Sequence, residues 1–115
     1  MVASTKLEVK RLALDAPCPV VRFNALTGGK YKLRILWELR QGARRYSEIQ
    51  RALSDATGGL AITPRVLSRE LRQLAEAELI TRTQFLEVPP RVEYRMTRQG
   101  RAMLPVMRAI CRWGC

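Results

Sequence analysis

Arg65, Ser68, Arg69 and Arg72 are the residues whose types and spacing best suit a common chemistry. On a helix at about 100° per residue they fall, with Glu76, within an arc of about 100°. Guanidinium groups bind phosphates and guanine edges through paired N–H donors, and a hydroxyl serves either target. Such a face fits a DNA major groove. Arg65, nearest the helix start, is expected deepest, with Ser68 and Arg69 beside it and Arg72 on a phosphate. The plainer alternative is a solvated face with ion pairs such as Arg72–Glu76.

Further residues extend this set. Thr63 stands at the N-cap position before the helix and joins the contact set from there, with Pro64 at the first helical position, where a backbone N–H is not missed. Arg91 follows Pro89-Pro90 and is expected at the tip of a stiff loop suited to a narrow minor groove. Lys30 and Lys32 open another helical stretch, where Lys30 and backbone N–H groups could hold a phosphate. Ser47, three residues before Gln50, reads as a capping box and a second phosphate contact. Arg82, Glu93 and Arg95 read as a cross-strand charge ladder. Cys18 precedes Pro19 at a helix start, where the dipole favours a thiolate and Arg22 lies one turn on. Its alternative role is that of a small buried residue.

Several chemistries are excluded. The chain has no histidine, and Cys18, Cys111 and Cys115 have no metal-ligand spacing. No metal or cofactor is expected. Gly29-Lys30 does not complete a phosphate loop, because Asn24 stands where its first glycine would be and Tyr31 where Ser or Thr is needed. No set of catalytic residues is evident, so an enzyme is not expected. The net charge is +11, with 17 arginines among 21 basic residues, which suits nucleic acid. The first fifteen residues are broken by Lys6, Glu8, Lys10, Arg11 and Asp15, and no run approaches a membrane span. A cytoplasmic protein with reduced thiols is the expectation.

The positioning elements follow from periodicity. Across Thr63–Leu79, Leu67, Leu71, Leu74 and Glu78 share an arc of about 60° away from the arginines. Cys18-Pro19 opens a helix over Val20–Ala25 that Gly28-Gly29 ends. A second helix over Lys30–Arg40 carries Tyr31, Ile35, Leu36 and Leu39. A turn over Gln41–Arg45 leads to a short third helix with Ile49 and Leu53 inward. The loop Ser54–Ala61 precedes the arginine helix, completing a helix-turn-helix plan. Ile80–Phe85 and the alternating Val92–Met96 form a hairpin around Leu86–Arg91. Thr97 caps a last helix to about Trp113, which Pro105 kinks or restarts. Met103, Met107 and Trp113 on it suit a core, a dimer surface or an effector pocket. The fold class is α+β, mostly α.

The chain resembles the HxlR-type winged helix-turn-helix transcriptional regulators, relatives of the MarR regulators. The resemblance lies in CPV at Cys18–Val20, GGKYKLRILWEL at Gly28–Leu39, RRYSEIQRAL at Arg44–Leu53, ITPRVLSRELRQL at Ile62–Leu74, VPPRVEYRMTRQG at Val88–Gly100 and Leu104–Gly114. It implies a two-stranded wing, N- and C-terminal dimerisation helices, and a homodimer on a pseudo-palindromic DNA operator. It also implies a redox or electrophile-sensing role for Cys18. The organisation expected is one domain: an arm over 1–17, a DNA-binding core with wing over 18–97, and a dimerisation helix over 98–115. The functional expectation is a sequence-specific repressor released by an oxidant or small-molecule effector. The alternative is a winged-helix protein that binds nucleic acid without sequence specificity. The loop Asp55–Ala61 is longer than the family's short turn, which bears on the angle of the arginine helix.

Overall fold

Leucine and isoleucine at helical spacing build the body. The computed structural model describes residues 14–56, 58–59 and 62–114; residues 1–13 of the arm expected over 1–17, and Cys115, lie outside these. Helix α1 (Pro19–Thr27) has Cys18 as N-cap, Pro19 at its first position and Gly28 as C-cap, as the sequence indicates. Helix α2 (Lys32–Glu38) is shorter than expected and starts at Lys32, so Lys30 precedes it. Its Ile35 and Leu36, with Leu39 just past its end, are fully buried.

The stretch read as a turn holds a strand. β1 (Arg44–Arg45) pairs antiparallel with β3 (Arg91–Met96), which also pairs with β2 (Ile80–Phe85), giving a three-stranded sheet in the order β1-β3-β2. The wing hairpin is present as expected, but its sheet has a third strand. Two residues are too few to show alternation, and only β3 across the ladder defines them.

Helix α3 (Tyr46–Ala56) buries Ile49 and Leu53. Ser47 is its second residue and not its cap. The start is held by Glu48, whose Oε1 accepts from Arg45 N–H at 2.9 Å, the return half of a capping box. The end is closed by two glycines with positive φ: Gly58 N–H donates to Asp55 O and Gly59 N–H to Ser54 O. This is a Schellman motif, which stops the helix and turns the chain.

Helix α4 (Pro64–Glu76) carries the arginines. Thr63 Oγ1 accepts from Val66 N–H at 3.3 Å, as a capping threonine should. Two side chains from the first half of α3 hold the start of α4. Tyr46 Oη donates to Pro64 O at 3.1 Å, and Gln50 Nε2 donates to Ile62 O at 3.3 Å. Helix α4 stops at Glu76, short of Leu79. Glu78 lies beyond it at φ 62°, in a second Schellman turn with Glu78 N–H on Ala75 O and Leu79 N–H on Leu74 O. Glu78 is therefore not on the leucine face; Glu70 is.

The last helical stretch restarts at Pro105, as expected: α5 (Arg98–Arg101) gives way to α6 (Leu104–Gly114). Thr97 caps α5 by accepting from Gly100 N–H at 3.1 Å and donates to Glu78 O at 2.6 Å, tying the end of the arginine helix to the start of α5. Leu104 and Met107 of α6 complete a core with Leu36, Leu67, Leu71, Leu74 and Ile80. No helix among the described residues is long and apolar enough to cross a membrane.

Candidate nucleic-acid interface

Burial of Leu67, Leu71 and Leu74 turns Arg65, Ser68, Arg69 and Arg72 of α4 outward, and all four are exposed. Arg65 makes no ion pair with a described residue. Arg72 meets Glu76 only at 4.0 Å between two well-exposed side chains, an arrangement that contributes little. Arg69 Nη2 lies 3.4 Å from Glu70 Oε1.

Glu70 is the residue that sequence reasoning missed. It sits among the leucines, where an ionised carboxylate is costly unless paired. Its partner is Lys32 of α2, whose Nζ donates to Glu70 Oε2, and both side chains are buried. The two lie 38 positions apart. No local pattern joins them.

The hairpin divides its residues by strand parity. Ile80, Arg82, Val92, Tyr94 and Met96 share the face toward α4, since Arg82 pairs with Tyr94 in register. Thr83 pairs with Glu93 and Thr81 with Arg95, so Arg82 is not in their charge ladder. Arg82 instead lines a hollow of about 400 Å³ with Ser68, Leu71, Arg72, Ala75 and Tyr94. Two arginines, from helix and wing, thus flank one hollow next to the exposed face. Counting strand parity from Ile80 would have found Arg82.

Arg91 is not at the wing tip. It is the first residue of β3, only 28% exposed, with ion pairs to Glu87 at 3.2 Å and Glu93 at 3.3 Å. Its guanidinium stacks 4.2 Å from the Phe85 ring, because Phe85 is its register partner. The tip itself is apolar: Leu86 and Val88 are 97% and 101% exposed.

The family model of HxlR-like helix-turn-helix proteins matches residues 26–115. The chain belongs to the HxlR-like family. A helix-turn-helix transcriptional regulator of Methanothermobacter thermautotrophicus is 44% identical over 87 residues, 76% of this chain; the match spans 62% of that relative's length. A MarR-family regulator of Porphyromonas gingivalis W83 superimposes with a TM-score of 0.77 at 35% identity, covering 87% of this chain and 92% of its own. The redox regulator HypR in its oxidized form does so with a TM-score of 0.75 at 32% identity, covering 84% and 94%. The HxlR-like chain is thus a transcriptional regulator of the helix-turn-helix type, a class that binds DNA.

The remaining candidates of this HxlR-like fold lie on other elements than α4. Ser47 is exposed on α3. Lys30 is exposed, with its ammonium 5.4 Å from the Tyr31 ring. Lys30 also edges a groove of about 470 Å³ between α2 and α6, floored by Leu33, Trp37, Met107 and Ile110, with Cys111 on its wall. Cys18 is fully exposed. Its thiol makes no full capping bond, yet the N–H groups of Val21 and then Val20 lower its pKa. Arg22 adds to this weakly, since its guanidinium is taken by Ala16 O at 2.6 Å and Pro17 O at 3.0 Å.

Proposed function

We propose that this HxlR-like chain is a homodimeric, sequence-specific DNA-binding repressor responding to an oxidant, an electrophile or a small molecule. The observation carrying the reading is α4 itself: three leucines hold it in the core while Arg65, Ser68, Arg69 and Arg72 face outward beside the wing. Arg65 and Arg69 read base edges. Thr63, Ser68, Arg72, Arg82, Lys30 and Ser47 hold phosphates and fix register.

A second copy supplies the other half. Val20 and Val21 of α1, and Val106, Ile110 and Trp113 of α6, are left exposed. An uncovered apolar surface of this kind marks an association site. Two such heads would place their α4 helices in successive major grooves about 34–36 Å apart on a pseudo-palindromic operator. Cys18 lies at the start of α1, beside the exposed valines, so its oxidation would alter that surface. HypR, a redox regulator of the same fold, supports this control.

The test is a gel shift on the gene's own promoter and on a scrambled duplex, with reduced and diamide-treated protein. The reading expects a large preference for the promoter, steep loss of affinity with salt, and release on oxidation that Cys18→Ser abolishes. Equal affinity for both duplexes would instead favour a winged helix without sequence specificity.

A further inference from the structure

We propose that Glu70 is a positioning residue for base reading: its carboxylate, anchored by Lys32 of α2, presets the Arg69 guanidinium on the DNA-facing side of α4. The proposal rests on the reading of α4 as the recognition helix.

The carboxylate has two ends with different duties. Oε2 accepts from the buried Lys32 ammonium. Oε1 meets Arg69 Nη2 at 3.4 Å. One carboxylate therefore bridges an inner cation and an outer one. The bridge has a direction. Lys32 belongs to α2, which Ile35 and Leu36 root in the core, and the Glu70 side chain is only 7% exposed. Arg69 is 50% exposed, so Arg69 follows Glu70 and not the reverse.

The guanidinium keeps enough donors for both tasks. It has five N–H groups, and paired recognition of guanine O6 and N7 takes two. One Nη2 hydrogen on Glu70 leaves the rest free. Holding a long side chain near its bound rotamer before contact reduces the entropy lost on binding. Among the described residues, Arg65 has no such partner and Arg72 has only the distant, exposed Glu76. The energetics agree with a role beyond stability, since a buried ion pair commonly holds a fold no better than apolar residues of similar volume.

The test uses a duplex selected by the intact wild-type protein from a randomised pool, and a scrambled duplex. The readouts are the ratio of the two affinities and the thermal melt. Glu70→Gln and the apolar exchange Lys32→Met/Glu70→Leu are compared in wild-type and Arg69→Ala backgrounds. The proposal expects cooperative melting of both and a ratio about fivefold to tenfold lower. In the Arg69→Ala background the same changes should move the ratio by less than about twofold. If the apolar exchange fails to fold, the Glu70→Gln cycle with Arg69→Ala decides alone. A ratio unchanged by Glu70→Gln overturns the proposal, as does an equal drop in both backgrounds. Arg65→Ala separates the two failures: a ratio lowered by Arg65→Ala but not by Glu70→Gln removes only the Glu70 role. A ratio untouched by Arg65→Ala and Arg69→Ala alike removes the recognition-helix reading, and the Glu70 role with it.

Discussion

Helix α4 and the wing both present arginine beside proline, yet they use it oppositely. On α4 the core takes Leu67, Leu71 and Leu74, and Arg65 and Arg72 are left to solvent. On the wing, Arg91 is taken by the fold itself, between Glu87, Glu93 and the Phe85 ring, and the tip carries Leu86 and Val88. An arginine's availability thus depends on the acids and rings that the backbone brings beside it. Arg82 makes the same point from the other side: strand parity removes it from Glu93 and delivers it to Arg72 and the α4 face.

This contrast can be broken in graded steps. The largest effect belongs to the support of α4. Leu71→Ala should lower stability by about 2–5 kcal/mol, read by urea melts, because the buried leucine holds the helix in place; a loss under about 1 kcal/mol would mean α4 is not rooted as described. Next comes Arg69→Ala, which should cost about 1–3 kcal/mol of operator binding with the melt unchanged. Arg82→Ala should weaken operator and scrambled duplex alike and reduce the salt slope by about 1, as a phosphate contact does. Arg91→Ala should leave operator affinity within about 0.5 kcal/mol, since its guanidinium is engaged within the hairpin. A loss at Arg91 equal to that at Arg69 would erase the contrast between the two regions.

The proposed control by Cys18 should give the smallest and most local signal. Its pKa is lowered in the folded chain by the Val21 and Val20 N–H groups, so its thiolate persists to lower pH than in the unfolded chain. Iodoacetamide labelling followed by mass spectrometry should therefore fall off at lower pH in native than in urea-unfolded protein. Coincident profiles would remove the helix-start activation.

Local periodicity made much of this fold readable. The Leu67, Leu71 and Leu74 spacing, the Thr63-Pro64 start, the Cys18-Pro19 start and the alternation of Val92, Tyr94 and Met96 all act within a few residues, and each element formed where they indicated. What escaped depends on partners distant in sequence. β1 exists only because β3 lies beside Arg44 and Arg45. Glu70 is buried because Lys32 meets it from another helix. Arg91 is withdrawn because the hairpin register sets Phe85 opposite it. Glu78 fell outside its helix because the chain turned through a left-handed residue that no glycine marked.

The central claim is that the outward face of α4 reads sequence, and the Arg65→Ala/Arg69→Ala double variant tests it most directly. Its affinities for the selected operator and for a scrambled duplex should become nearly equal, with the thermal melt unchanged. A double variant that melts like wild type and still prefers the operator as strongly as wild type would contradict the account.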